Sequence, residues 1–169
     1  MAGSTHMHIR FITTGGTIDK IYFDALSDYH VGESPLQSIL LEGLVEFEHD
    51  IVPLLRKDSL EVTDEDRAAL REYISNDDAT HYVITHGTDT MPETAEVLRG
   101  FEGKTIVLTG ALTPARFRTT DAPFNVGMAV ATVQIAPPGV YIAMSGQVFE
   151  AGAVRKNRAA NRFEPIDRS

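Results

Sequence analysis

His81-Tyr82-Val83-Ile84-Thr85-His86-Gly87-Thr88-Asp89-Thr90-Met91-Pro92-Glu93-Thr94 is the stretch whose reading decides the fold. The apolar run up to Ile84 reads as a buried strand ending at Thr85. Gly87 permits a turn, and Pro92 near the first helical position marks a helix start. Such a turn faces the crevice where open α/β sheets bind ligands. Two hydroxyls, a carboxylate and a glycine close together there suit a small polar substrate. The same residues also suit a plain helix entrance, since Thr88, Asp89 and Thr90 are all good N-caps.

The alternation of strand and helix continues on both sides. Upstream, Thr63-Asp64-Glu65-Asp66 forms the acidic first turn of an amphipathic helix carried on by Ala68, Leu70, Tyr73 and Ile74. A strand is expected over Glu46 to Leu55, and a helix from Pro35 to Leu44 with Ser34 as its cap. His8 to Thr14 is the expected first strand, stopping at Gly15-Gly16-Thr17, and Thr17 to Glu33 reads as one long loop. Downstream come a helix over Pro92 to Arg99 and a strand over Lys104 to Thr109. A helix then opens at Asp121-Ala122-Pro123, with Asp121 as N-cap and the Asn125 side chain on nearby backbone, and ends at Pro137-Pro138. Gly139 to Ser145 is a strand, Gln147 to Val154 a candidate hairpin, and the tail from Arg155 to Ser169 is basic and then mixed. The implied class is α/β: a flavodoxin-like or Rossmann-like, largely parallel sheet flanked by helices in a single domain.

At 169 residues and 43% hydrophobic, the chain can bury a core without staples. Its net charge of −9 opposes general binding to nucleic acid or anionic membrane and favours small-molecule partners. The absence of cysteine excludes disulfides and thiolate metal sites and fits a cytoplasmic protein. Met1 to Met7 reads as an expression leader, and no secretory signal is visible. The run from Val126 to Met144 is broken by Pro137-Pro138-Gly139, so no membrane span is expected.

Chemistry gathers at three strand ends: Thr13-Thr14-Gly15-Gly16-Thr17, Lys57-Asp58-Ser59, and His86-Gly87-Thr88-Asp89-Thr90. Parallel topology alone could bring these loops to one edge. The dinucleotide fingerprint and the phosphate-loop lysine are absent, which weakens a phosphate reading. A hydroxyl nucleophile needs a base, a partner for that base, and donors for an oxyanion. Thr17 and Thr88 supply hydroxyls, Asp89 a carboxylate, and the glycine turns exposed N–H groups. Spacing does not tell which lysine reaches them. His81 and His86 lack same-face zinc spacing, so neither metal nor cofactor is expected, and His86 reads as a turn residue or one that supports the site from behind. Arg116 and Arg118 either hold their loop or cover the site.

Thr14-Gly15-Gly16-Thr17-Ile18 together with His86-Gly87-Thr88-Asp89-Thr90-Met91 resembles the paired signature of bacterial-type L-asparaginases, the Thr-dependent amidohydrolases. Further matches are Asp58-Ser59 with Thr63, Leu108-Thr109-Gly110-Ala111, Asp121-x-Pro123-Phe124-Asn125 and Arg155-Lys156-Asn157. The resemblance extends over residues 8–169 as the family's amino-terminal catalytic domain. It implies that Thr17 attacks the side-chain amide of L-asparagine, expelling ammonia and leaving an acyl-enzyme for water. It implies that Lys156, paired with Asp89, assists proton transfer through the Thr88 hydroxyl. Asp89 and Ser59 resemble the groups holding the substrate's α-ammonium and α-carboxylate, with Asp58, Gly16, Gly87 and Thr88 at the same pocket. Without the resemblance, Lys156 reads as part of a solvated basic tail. Tyr29 matches the family's lid tyrosine by local pattern, while Tyr22 lies nearer Thr17, and both stand.

The sequence also departs from the pattern. It stops where typical relatives continue into a second domain that supplies a glutamate to a neighbouring subunit's site. Leu60 stands where many relatives carry a glutamine. These departures bear on the preference for asparagine over L-glutamine. The expected bare contact surface argues for a homo-oligomer. The alternatives are a glutaminase or an amidase for a larger amide, a non-catalytic amino-acid-binding module, and a flavin binder, which would be yellow when purified.

Overall fold

The computed structural model describes residues 7–22, 29–31 and 34–167, with the side chains of residues 21–22 and 29–31 outside that description. In chain order the elements are β1 (His8–Gly15), β2 (Lys20–Tyr22), β3 (Tyr29–Val31), α1 (Leu36–Glu42), β4 (Glu48–Lys57), α2 (Asp64–Ser75), β5 (His81–Thr85) and α3 (Met91–Val97). They continue with β6 (Thr105–Thr109), α4 (Ala122–Ile135), β7 (Gly139–Met144), β8 (Gln147–Glu150), β9 (Val154–Asn157) and β10 (Arg162–Pro165).

The main sheet runs β4-β1-β5-β6-β7-β8, parallel except for β8 at the edge. Its five parallel strands follow the flavodoxin-like order, in which the chain first moves one way from β1 and then the other. The switch point therefore lies between β1 and β5, and that is where a ligand crevice is expected.

The sheet is buried because its strands are apolar on both faces. Ile12, Tyr82, Ile84, Ile106, Leu108 and Ile142 point into one core, with Leu70 and Ile74 of α2 and Met91 and Ala95 of α3. Phe11, Val83, Val107, Tyr141 and Ala143 point into the other, with Leu36 and Leu40 of α1 and Val126, Ala129 and Val133 of α4. Each fully buried aliphatic side chain contributes about 1.5–3 kcal/mol relative to exposure. A one-residue slip of β5 would exchange its two faces between the two cores.

Four expectations need correction. The stretch from Thr17 is a 3₁₀ turn over Thr17–Asp19 followed by the antiparallel pair of β2 and β3, in which Tyr22 lies opposite Tyr29. Ser34 accepts a hydrogen bond from the Leu36 N–H at 3.3 Å, and Pro35 itself occupies the cap position, so α1 starts one residue later than read. Gln147 to Val154 is not one hairpin. β8 folds back on β7 through Ser145-Gly146, both at positive φ (54° and 79°), the two-residue turn that matches strand twist. β9 pairs instead with β10, so the tail from Arg155, which the sequence reading left without an element, holds a second hairpin. Finally, Asp121 sits at the start of α4 but does not cap it. Its carboxylate accepts hydrogen bonds from the Leu112 and Thr113 N–H groups and from the Asn125 amide, holding the loop after β6.

Candidate active site

At the switch point the chain brings three turns together backbone to backbone. The ladder between β1 and β4 shifts register between Thr13 and Gly15, and the Gly16 N–H donates to the Lys57 carbonyl at 3.0 Å. Gly16 sits at φ 83°, and a Cβ there would overlap the backbone of Gly87. A Cβ on Gly87 would in turn strike the Ser59 side chain. Both glycines are required by close approach, so Thr17 and Thr88, each one residue further on, leave from one shared contact.

Thr88 is where the described chemistry is densest. Lys156 reaches it from β9, and its Nζ donates to Thr88 Oγ1 at 2.8 Å. The Lys156 amine lies 3.9 Å from the Asp89 carboxylate, and the lysine side chain is 3% exposed against 36% for the aspartate. It also lies over the Phe163 ring at 5.3 Å, on the β10 strand that pairs with its own. Burial pushes the Lys156 amine below the ordinary lysine value. Asp89 opposes that shift, and Arg158 adds to it. A desolvated lysine with one half-exposed counter-charge is closer to giving and taking a proton than a surface lysine.

Ser59 fixes the second turn to the third. Its hydroxyl accepts from the Thr90 N–H at 2.7 Å and lies 2.9 Å from Thr90 Oγ1, which donates to the Ser59 carbonyl at 2.7 Å. Asp58 lies at the edge of this group, where its carboxylate pairs with Lys20 at 3.1 Å. Of the residues expected at the site, Thr88, Asp89 and Lys156 form one cluster, and Gly16, Gly87 and Ser59 form the contact beneath it. The side chains of Tyr22 and Tyr29 lie outside the described residues.

Of the support below the turn, His86 is foreseen in the sequence, while its partners Arg67 and Thr94 are missed. His86 is fully buried, and its Nδ1 lies 2.7 Å from the Gly87 carbonyl while its Nε2 lies 2.8 Å from Thr94 Oγ1. Thr94 Oγ1 accepts from the buried Arg67 at 3.0 Å, leaving its own proton for His86 Nε2. Burial pulls the imidazole down to about 4, the Gly87 carbonyl opposing and Arg67 assisting, so it is neutral at physiological pH. The chain from Arg67 through Thr94 to His86 thus fixes the Gly87 carbonyl. The signal for it, Arg67 and Thr94 on the apolar faces of two helices, was present but has no fixed spacing. Asp19 was also missed: it is 2% exposed, and its Oδ1 has no hydrogen-bond partner.

Among the described residues no group of three or more His, Asp or Glu side chains could hold a metal ion. No described helix is long and apolar enough to cross a membrane.

A family model described as "Asparaginase, N-terminal" matches residues 8–166. L-asparaginase 2 of Escherichia coli (strain K12) is 31% identical over 167 residues, covering 91% of this chain and 47% of that protein. A glutaminase-asparaginase of Acinetobacter glutaminasificans is 28% identical, with 88% and 49% covered. The solved thermostable L-asparaginase of Thermococcus kodakarensis superposes with a TM-score of 0.83 at 25% identity, over 96% of this chain and 52% of that one. The chain thus spans about half the length of the curated relatives it matches.

Proposed function

This chain belongs to the asparaginase family, and from that premise we propose that it hydrolyses the side-chain amide of L-asparagine to L-aspartate and ammonia through an acyl-threonine on Thr17. The observation that carries the reading is the 2.8 Å hydrogen bond between buried Lys156 and Thr88, beside Asp89. Thr88 and Asp89 lie on the turn after β5, against the turn that holds Thr17.

In the first half-reaction the Thr17 oxygen bonds to the amide carbon and the carbonyl electrons move to its oxygen. The resulting charge calls for N–H donors at the turns, and the Gly16 N–H is not among them, being bonded to the Lys57 carbonyl. The oxyanion collapses, the carbon–nitrogen bond breaks, and ammonia leaves with the proton taken from Thr17. In the second half water attacks the ester, and the carbon–oxygen bond to Thr17 breaks as the threonine regains its proton. Lys156 serves both halves by holding or releasing a proton at the Thr88 hydroxyl, and its lowered basicity favours that exchange. Asp89, at the solvent edge, is placed to receive the substrate's α-ammonium while it opposes the lysine's charge.

Glutamine is the second substrate to test, because Leu60 is 63% exposed and brings no polar group to the pocket. The cytoplasm is the proposed compartment. A homo-oligomer is the proposed assembly, supported by exposed Phe124 and Ile135 on α4 and Val148 on β8; sedimentation as a monomer at micromolar concentration would remove that part. The reaction is tested by ammonia release from L-asparagine and L-glutamine, with Thr17→Ala as control. Release that vanishes in the variant is expected. A folded chain that binds asparagine and releases nothing would be a binding module instead.

A further inference from the structure

Behind the Thr88 turn runs a line of buried polar groups that no step of the reaction above uses. Arg67 of α2, Thr94 of α3 and His86 are 8%, 0% and 1% exposed. Arg67 Nε donates to Thr94 Oγ1 at 3.0 Å, Thr94 Oγ1 lies 2.8 Å from His86 Nε2, and His86 Nδ1 lies 2.7 Å from the Gly87 carbonyl. The two ends set the direction of every bond between them. A guanidinium has donors and no acceptor, and a carbonyl has acceptors and no donor. A neutral imidazole carries one proton, so that proton sits on Nδ1. The Thr94 hydroxyl then donates to Nε2 while its oxygen accepts from Arg67.

What the line holds is the peptide between Gly87 and Thr88. That peptide is planar and trans, so a carbonyl held toward His86 points the Thr88 N–H the opposite way. Gly87 is also pressed against Ser59, where a Cβ would overlap the serine side chain. One residue on, Thr88 Oγ1 meets Lys156 Nζ at 2.8 Å. The direction in which Thr88 leaves the turn is thus set by Ser59 against the Gly87 Cα and by His86 on the Gly87 carbonyl.

We propose that Arg67 is a positioning residue for Thr88, its donor and its charge acting through Thr94 to keep the His86 proton on Nδ1, where it anchors the Gly87 carbonyl. The proposal rests on the reading of Thr88 as the hydroxyl through which Lys156 exchanges a proton.

The other tautomer shows what Arg67 prevents. With the proton on Nε2, an N–H would point along the line toward the guanidinium. The Nδ1 lone pair would face the Gly87 oxygen, two acceptors 2.7 Å apart, and the turn would have to shift to separate them. The charge of Arg67 disfavours that tautomer and the imidazolium alike. In agreement, burial lowers the His86 value to about 4, with the Gly87 carbonyl opposing and Arg67 assisting. Stability does not call for a cation here. The other contact of Arg67 is Nη1 to Asp64 at 3.1 Å, and that carboxylate is 95% exposed. The core between the two helices is apolar, Leu70 and Ile74 of α2 packing with Met91 and Ala95 of α3. An apolar side chain of similar volume in place of a buried ion is often neutral or stabilising.

The test is ammonia release by Arg67 and Thr94 variants, read beside the imidazole ¹⁵N spectrum of His86. The wild type should show His86 protonated on Nδ1. Arg67→Met should lower kcat roughly tenfold or more, with a smaller change in KM. Its melting temperature should stay within roughly 3 °C of wild type, and its His86 should be partly protonated on Nε2. Arg67→Lys, which keeps a donor and a charge, should recover part of kcat and the Nδ1 signature. Thr94→Val should lose as much as Arg67→Met, and the double variant no more than either, since the line is broken once. Thr94→Ser should keep most of the activity, and Asp64→Asn, at the exposed contact, all of it. A purely structural arginine predicts the reverse, a lower melting temperature with unchanged kcat and unchanged spectrum. Should Arg67→Met fail to fold, Thr94→Val against Thr94→Ser carries the same comparison. Wild-type His86 protonated on Nε2, a folded Arg67→Met with wild-type kcat, or losses that multiply in the double variant would overturn the proposal. A tautomer that changes in Arg67→Met, in a chain releasing no ammonia, would uphold the link from Arg67 to the turn. The reaction assigned to Thr88 and Lys156 would then be what fails.

Discussion

The two ends of the parallel sheet treat charge in opposite ways. At the amino-terminal end, Arg10 of β1 pairs with Asp50 of β4 at 3.0 Å and with Asp77 before β5. The Tyr82 hydroxyl donates to Asp77 at 2.7 Å, and Lys104 caps the Asp77 and Ala79 carbonyls at 2.7 Å each. Burial alone would raise Asp77, but the Tyr82 hydroxyl, Arg10 and Lys104 outweigh it and hold the carboxyl below its usual range. At the carboxyl end, Lys156 has one carboxylate at 3.9 Å, and Asp19 keeps an oxygen with no partner. The first end satisfies its charges against each other, while the second, beside closed pairs such as Lys20–Asp58 and Lys57–Asp66, leaves Lys156 and Asp19 short of partners. The far end is a structural clamp, and the near end, on the same strands, is the proposed reactive site.

Substitutions should therefore separate the ends. Lys156→Met should lower kcat for ammonia release roughly 10³-fold, the scale of a lost proton-transfer group. Its thermal midpoint should hold or rise, since a desolvated amine is removed. A melting temperature that falls steeply would show the lysine to be structural. Gly16→Ala comes next, because its Cβ would push the Thr17 turn off the Gly87 backbone. Roughly a 10²-fold loss in kcat/KM is expected from such a displacement, and near-normal kinetics would mean that the contact is not what places Thr17.

At the far end, Asp77→Ala should cost about 2–3 kcal/mol of stability in urea unfolding, since it strands hydrogen-bonded charged partners. Its kcat should stay near wild type. A depressed carboxyl contributes stability above 3.8 that is lost as pH falls through its folded value, so the gap between wild type and Asp77→Ala should close in strong acid. A gap that widens there would reverse the assignment. The smallest effect belongs to the half-exposed Arg99–Glu96 pair at 2.9 Å. Arg99→Ala should change stability by less than about 0.5 kcal/mol.

The same contrast explains what was legible in the sequence. β5, its turn and α3 are readable because apolar burial, a glycine and a proline follow one another in eight or so residues. The parallel sheet follows from strand and helix alternating, but its order does not, since flavodoxin-like and Rossmann-like orders both fit that alternation. The hairpin boundaries were misread because Ser145 was counted into its strand, although Ser145-Gly146 takes the positive φ values of a tight turn. β9 and β10 escaped because their exposed faces are charged, Arg155, Arg162 and Glu164, which hides the alternation that buries Val154 and Phe163. Lys156 came forward only through the resemblance, since nothing local distinguishes it from Arg155 and Arg158. Its burial is conferred by Phe163 and Thr88, far away in sequence or on another strand. Asp19 was unreadable for the same reason: a short acidic residue after Ile18 looks like loop until the chain around it closes.

The account turns on where the acyl group forms. Acid-quenching the chain during turnover of L-asparagine, then mapping peptides by mass, reads this directly. The account predicts an aspartyl ester on the peptide containing Thr17, absent in Thr17→Ala and accumulating in Lys156→Met if the lysine also serves the water step. An ester on Thr88, or turnover with no ester anywhere, would contradict it.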